Sequence, residues 1–362
     1  MRRRIIYRAA RVSCCSLMLA LAFPATSHAS KVAPKKSVED LRRSPTNDNA
    51  PVDVAVGLYI TNFVAIDETR ETFEVGGFLT GQWRDPRLAL PPDQAKSSSN
   101  EPETPRTLNP EEVWGPAIEG ANTISHTTNQ ASLEADRNGI VTYRERFEAV
   151  YSNAYQLRKF PFDTQVLRFE FQPFLSTTAH IRFAPRALPE TGISPGQHTE
   201  LAAWRLQNLT YTADKLSGDP FLPETHEALF ELTVTRRSGF YIWKIFLPLM
   251  MMALIPSAVF WIDPKEFDWL LKIPMTMLLA MVAFQFTIAR DLPRIGYVTL
   301  LDAVFLASFV FCFLGIIEIT LVYLLQKYGR RWLAEKLHRA GRWAYPLVYF
   351  AVLLILAVGF LA

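Results

Sequence analysis

In the apolar C-terminal part of the chain, chemistry-bearing residues recur at helical spacing: Asp268, Lys272, Thr276, Leu279, Ala283, Phe286 with Thr287, and Arg290. Steps of three and four put them on one face of an α-helix, polar below and apolar above. Such a stripe is costly against lipid and must face protein or water. Two arrangements meet that demand. In one, the helix is buried in a bundle and Asp268 pairs with Lys272 at i,i+4. In the other, several copies of the helix surround water, and the chemistry is ion permeation. Leu279, Ala283 and Phe286 then form an apolar constriction able to close by dewetting, while a ring of Asp268 carboxylates attracts cations. Lys272 lies one turn above Asp268 and opposes that field, so cation selectivity is the expectation and anion selectivity the alternative. Pro274 removes a backbone donor inside the same helix and is expected to kink it.

A second set lies in LRKFPFDTQVLRFEFQPF, Leu157–Phe174. Leu167, Phe169 and Phe171 alternate with Arg168, Glu170 and Gln172, the pattern of a half-buried strand. Ahead of it, Phe160 and Phe162 flank Pro161 in what must be a turn. Two aromatics displayed in a turn need a surface to press against. Catalytic patterns are missing: His126, His180, His198 and His226 are scattered without metal-ligand spacing. There is no nucleophile elbow, phosphate loop or pair of catalytic carboxylates. Neither an enzyme nor a cofactor is expected, and a net charge of +3 is too slight for nucleic acid.

The elements that position these residues divide near residue 238. Residues 1–29 read as a secretory signal, with Arg2–Arg4, a short apolar core at Leu17–Phe23 and Ser27-His28-Ala29 as the cleavage site; a linker follows over 30–50. Cys14 and Cys15 fall in the signal and leave Cys312 alone, so no intramolecular disulfide is expected. From 51 to 237 the strand signals recur at sandwich spacing. They are Val52–Ile60, Phe73–Trp83, an Asn138-Gly139 turn into Ile140–Tyr143, Arg182–Phe183, Trp204–Tyr211 and Leu229–Thr235. Pro91–Pro110 reads as a surface loop. Tyr59 and Phe78 sit opposite the core faces of their strands, which suggests a subunit contact or ligand site. From 238 to 362 four segments reach the roughly 20 apolar residues that a bilayer needs: about 239–262, 269–289, 297–325 and 343–362. The connection Gln326–Arg342 holds Lys327, Arg330, Arg331, Lys336, Arg339 and Arg342 against Glu335, which places it in the cytoplasm. An exported N-terminal domain demands the same topology. The fold class is an α+β membrane protein: a periplasmic β-sandwich, then a four-helix transmembrane domain.

PVDVAVGLYI, WGPAIEGAN (Trp114–Asn122), FPFD, Arg236 before the first membrane helix, Pro248 within it and LPRIGYVT after the second together resemble one family. It is the pentameric ligand-gated ion channels, or Cys-loop receptors, in the bacterial branch that lacks the disulfide, closest to its amine-gated members. The resemblance spans Pro51–Ala362. It implies a homopentamer, multi-pass in a bacterial inner membrane among lipid, that passes inorganic ions when a small-molecule agonist binds, a primary amine in those relatives. It implies that Phe160, Pro161, Phe162 and Asp163 hang beneath the sandwich against the loop holding Pro293, Arg294 and Tyr297. Asp163 would face Arg236; the alternative is that it caps its own turn. The implied ligand site lies between neighbouring sandwiches. One subunit supplies Phe174, Tyr211, Phe230 and Glu119, and the next supplies Tyr59 and Phe78, an aromatic cage suited to a cation. Gln172 departs from the acidic residue of the amine-gated relatives, which leaves Glu119 as the counter-charge. The loop Thr212–Leu229 would cap the site. A non-conducting periplasmic receptor on the same fold is the competing function, and the short basic cytoplasmic loops weigh against it.

Overall fold

The computed structural model describes residues 38–46, 50–90, 105–174, 181–196, 201–216, 225–262, 267–289 and 295–361; the expected signal lies outside them. A short helix α1 (Val38–Leu41) precedes the strands. One sheet runs β3 (Arg106–Thr107), β5 (Thr123–Ala135), β6 (Ile140–Ser152), β2 (Thr72–Arg84), β1 (Val52–Asp67), β8 (Ile181–Phe183), with β9 (Gly192–Ile193) also on β1. The other runs β10 (Trp204–Leu216), β11 (Thr225–Arg236), β7 (Thr164–Pro173), β4 (Ile118–Gly120). Period-two alternation buries Val52, Val54, Val56, Leu58 and Ile60 of β1 against Leu167, Phe169 and Phe171 of β7 in one core. Phe73, Tyr151 and Phe169 join the sheets, with ring centroids 5.0 to 5.3 Å apart. The Asn138-Gly139 turn is present; Gly139 takes φ of +78°, and Asp136 Oδ1 accepts from the Asn138 and Ile140 amides.

Strand β5 alternates only at its end, where Leu133 and Ala135 are buried. Its residues 124–130 are exposed, as on a sheet edge, so no strand was legible there. Strand β3 lies inside the stretch expected as a surface loop. Strands β10 and β11 pair as far as Leu216 and Thr225, so the expected capping loop shrinks to 217–224, outside the described residues.

Among the described residues, four helices are long and apolar enough to cross a membrane: α2 (Gly239–Trp261), α3 (Phe267–Ile288), α4 (Leu300–Lys327) and α5 (Arg331–Leu361). Helix α2 turns π-helical over Ile242–Phe246 and 3₁₀ over Ile255–Trp261. Pro248 and Pro256 lie beside those changes, where a missing amide shifts the hydrogen-bond ladder. Helix α3 runs unbroken through Pro274, which lies on the buried face, so the expected kink does not interrupt it. Helix α4 opens on a capping box, with Thr299 Oγ1 accepting from Asp302 N at 3.2 Å and Asp302 Oδ2 from Thr299 N at 3.0 Å.

The start of α5 is a correction. It begins at Arg331, twelve residues before the expected Trp343, and converts most of the basic connection into helix. Gly329, at φ of +78°, breaks the chain between α4 and α5. The added turns bury Ala334 and His338 and expose the charges. An amphipathic extension of this kind fails an apolar-length criterion while still being helix.

Candidate functional site

Tyr59 and Phe78 are direct cross-strand partners on the outer face of the first sheet, each half-buried. Glu119 opposes Gln172 across β4 and β7, and both point outward from the second sheet. Phe174 follows β7, is 63% exposed and donates its amide to Ala117 O at 3.0 Å. Ala117 holds φ of +40°, a strained conformation two residues before Glu119. The two groups thus occupy opposite outer faces of one sandwich and cannot meet within one chain. Tyr211 and Phe230 do not join them. Phe230 is 0% exposed and packs between Phe171 and Tyr211 in the core. Tyr211 donates its hydroxyl to Ala184 O at 2.8 Å, and burial pushes its pKa up to about 12. On β11 the even positions from 226 to 236 face inward, and on β10 positions 209, 211 and 213 do, so the side expected to hold ligand is turned toward the core.

Sequence reasoning missed Glu227. It lies beside Gln172, whose Nε2 donates to Glu227 Oε1 at 3.4 Å, and so restores a carboxylate where the sequence shows an amide. Burial holds the Glu227 carboxyl above the usual range, and Glu170 and Asp214 add to that. Its only sequence signal was its parity within β11, which needs the register to be known.

The turn Phe160–Asp163 presses on the membrane helices. The Phe160 ring is 4.8 Å from Tyr241 and Phe162 is 6.2 Å from Phe246, both residues of α2. The Phe160–Pro161 peptide is cis. Asp163 and Arg236 are buried and bonded twice: Arg236 Nε to Oδ1 at 2.8 Å and Nη2 to Oδ2 at 3.2 Å. Arg236 also reaches Glu68 at 2.7 Å, and its guanidinium lies 4.1 Å from the Trp204 ring and 4.7 Å from the Phe160 ring. Burial opposes the Arg236 charge, but Asp163 and Glu68 outweigh it and raise its pKa. Gln165 Nε2 donates to Asp163 Oδ2 at 2.6 Å. The loop before α4 joins the contact: Leu157 N donates to Tyr297 Oη at 2.9 Å and Leu300 N to Arg158 O at 3.1 Å. Lys159 Nζ reaches Leu361 O at 3.1 Å. Pro293 and Arg294 lie outside the described residues. Glu68, Trp204 and Tyr241 were unforeseen members, since no pattern links three such distant positions.

On α3, Asp268, Lys272, Thr276, Leu279, Ala283, Phe286 and Thr287 are all exposed, Leu279 at 70% and Phe286 at 72%. Leu270, Pro274, Met281 and Ile288 are buried against the other helices. The stripe therefore faces away from its own bundle, and the buried-helix arrangement is set aside. Asp268 and Lys272 form no ion pair with each other; the Lys272 ammonium lies 5.3 Å from the Trp269 ring. Thr276 and Thr287 donate their hydroxyls to Lys272 O at 2.8 Å and Ala283 O at 3.1 Å, which leaves oxygen lone pairs on the exposed side. Arg290 lies outside the described residues.

Cavities also lie elsewhere among the described residues. One of about 220 Å³ inside the sandwich is lined by Trp83, Val113, Ile118, Leu133 and Tyr143 among others. One of about 570 Å³ at the domain junction is lined by Tyr155, Gln156, Arg158, Tyr297, Val298 and Phe360. Near the first, Glu145 accepts from Thr128, from Tyr143 at 3.0 Å and pairs with His126 at 2.7 Å. The Glu145 bond raises the His126 pKa. Burial pushes Glu145 up, but bonds from His126 and Thr128 outweigh it and hold it low.

Residues 37–238 match the family described as the neurotransmitter-gated ion-channel ligand binding domain. A proton-gated ion channel of Gloeobacter violaceus is 26% identical over 319 residues, covering 87% of this chain and 85% of that protein. The glycine receptor subunit beta of Rattus norvegicus is 28% identical over 310 residues, covering 82% of this chain and 60% of the receptor; the Homo sapiens subunit has the same figures. The chain therefore spans less than two-thirds of the glycine receptor subunits' length.

Proposed function

Because the chain belongs to the neurotransmitter-gated ion-channel family through its ligand-binding domain, we propose that it is a homopentameric, cation-selective channel opened by a small cationic agonist. The exposed stripe of α3 carries this reading. A face that bears Asp268, Lys272 and Thr276 and is turned from its own bundle needs water beside it, and copies around an axis supply that water. Asp268 sets the charge at the cytoplasmic mouth, Thr276 offers oxygen above it, and Leu279, Ala283 and Phe286 form the gate. Lys272, drawn to the Trp269 ring, opposes the Asp268 field less than a freely projecting ammonium.

The agonist site joins Phe174, Glu119 and Glu227 of one subunit to Tyr59 and Phe78 of the next. Opposite outer faces of one sandwich meet only between copies. Aromatic faces and two carboxylates suit an ammonium group, and a relative named for glycine binds a ligand of that class. A relative named for proton gating favours protons as a second reading, supported by the His126–Glu145 pair. Binding at the interface shifts the channel only by its differential affinity for open and closed states. The junction at Asp163 and Arg236 passes that difference to α2 and α4. Ion flux into vesicles, with a panel of amines, their neutral isosteres and a pH series, tests the agonist class. Amines are expected to open the channel and neutral isosteres to fail, with Glu119→Gln and Glu227→Gln each weakening the response. Opening by pH alone would support the second reading, and equal opening by neutral isosteres would contradict both.

A further inference from the structure

We propose that Glu318 of α4 and His338 of α5 form a binding site for a divalent cation of the Zn2+ class. The bundle leaves polarity unmatched at this place. Both carboxylate oxygens of Glu318 and Nδ1 of His338 are buried without a hydrogen-bond partner. His338 Nε2 lies 3.1 Å from Ile262 O, just past the end of α2. A carbonyl oxygen cannot donate, so Nε2 carries the ring hydrogen and Nδ1 of the neutral imidazole presents a lone pair. That lone pair faces Glu318 Oε1 at 3.8 Å. Two acceptors therefore confront each other among apolar helices, where an uncompensated carboxylate is costly.

The spacing suits a metal ion between them. A direct hydrogen bond needs about 2.7–3.2 Å. Zinc makes bonds of about 2.0–2.2 Å to imidazole nitrogen and carboxylate oxygen, so two ligands of one ion stand ~3.4 Å apart at the tetrahedral angle and ~4.2 Å apart when opposed. The observed gap falls between these limits. A ring N–H given to a backbone carbonyl is also the usual support of a metal-ligating histidine. Glu318 offers two oxygens and His338 one nitrogen. No third His, Cys, Asp or Glu joins them among the described residues, so water completes the shell. Imidazole beside carboxylate favours Zn2+ over Mg2+ or Ca2+, which take oxygen ligands. The frame is closely packed. The Phe260 and His338 rings lie 5.8 Å apart, and a Cβ at Gly341 would meet Phe260 at 2.8 Å. Arg342, one turn past His338, donates to Phe260 O at 2.7 Å and lies 5.0 Å from the Trp261 ring, so it is engaged elsewhere than at Glu318. The Glu318 side chain keeps 16% exposure, which leaves an entry path. A bound ion would tie α4, α5 and the end of α2 together. In the channel proposed above it would shift opening by its differential affinity for the two states, while the site itself does not depend on that reading.

Titration of the purified full-length protein with Zn2+ against a chromophoric chelator tests this, together with X-ray absorption of the Zn2+-loaded wild type. Both read the ion independently of conductance. The wild type is expected to bind Zn2+ through a single imidazole nitrogen, with oxygens at about 2.0–2.2 Å. E318Q and H338Q should each weaken binding by at least about 10-fold, and H126Q on the sandwich should leave it unchanged. The absorption spectrum needs no variant, so it decides the matter even where a substitution impairs folding. Absence of bound Zn2+ in the wild type, a shell with two imidazoles or with sulfur, or unchanged affinity in E318Q and H338Q would overturn the proposal. Loss of binding in H126Q alone would also overturn it and move the ion to the His126–Glu145 pair.

Discussion

At the scale of single residues, the charges that matter are those whose burial is matched by partners. Arg236 is bonded by Asp163 and Glu68 and enclosed by Trp204 and Phe160. Replacing it strands Asp163 in the junction, and Arg236→Gln should cost about 3–5 kcal/mol. Asp163→Asn should cost less, since Glu68 still pairs with Arg236; thermal unfolding of both variants checks the order. Asp163 was legible only through the family resemblance, which set FPFD against Arg236 ahead of the first membrane helix. Glu68 and Trp204 were not, because only the folded junction brings them together. The His126–Glu145 pair adds a pH dependence. A His pKa raised by folding stabilises below about 6.5 and loses that contribution as pH rises through the folded value. A Glu pKa lowered by folding stabilises above about 4.3 and loses its share as pH falls through the folded value. Protection of β5 amides from hydrogen exchange should therefore be greatest between these limits, and His126→Gln should remove the decline on the alkaline side. A decline that persists in the variant would assign it to another group.

Among elements, α3 and α5 differ in how their polar residues are used. The α3 stripe was readable because its polar positions recur in a helix too apolar to hold them by chance, and the exposed face agrees with the spacing. Cysteines placed at 276, 279, 283 and 286 should react with a small thiol reagent from the aqueous phase in the open channel. Those at 270, 281 and 288 should not. Equal reaction on both faces would contradict a water-lined stripe. The start of α5 was unreadable for the opposite reason, since its first turns are amphipathic and only packing of Ala334 and His338 shows them to be helix. Hairpin β10–β11 misled in a third way. The family resemblance assigned Tyr211 and Phe230 to a ligand cage, but Phe230 is buried in the core with Tyr211 half-buried against it, while Glu227 on the opposite face is half-exposed.

For the whole molecule, sandwich and helix bundle were legible from alternation and apolar length, while the assembly depends on faces that one chain leaves open. Tyr59 and Phe78 lie on one outer face and Phe174, Glu119 and Glu227 on the other, so the proposed agonist site needs neighbouring copies. Phe78→Ala and Phe174→Ala should each weaken agonist response about 2- to 30-fold, the range of one aromatic contact with a cation. Subunits carrying one change each, when mixed, should recover sensitivity, because some interfaces then keep both wild-type faces. Agonist titration of the mixture checks this, and no recovery would contradict a site shared between neighbouring subunits. The central claim is that ions pass along the α3 stripe under the control of Asp268. The most direct measurement is the reversal potential of agonist-evoked current in a planar bilayer under a salt gradient, for the wild type and Asp268→Asn. A reversal that tracks the cation and weakens in the variant is the predicted result. A reversal that tracks chloride, or one that Asp268→Asn leaves unchanged, would contradict it.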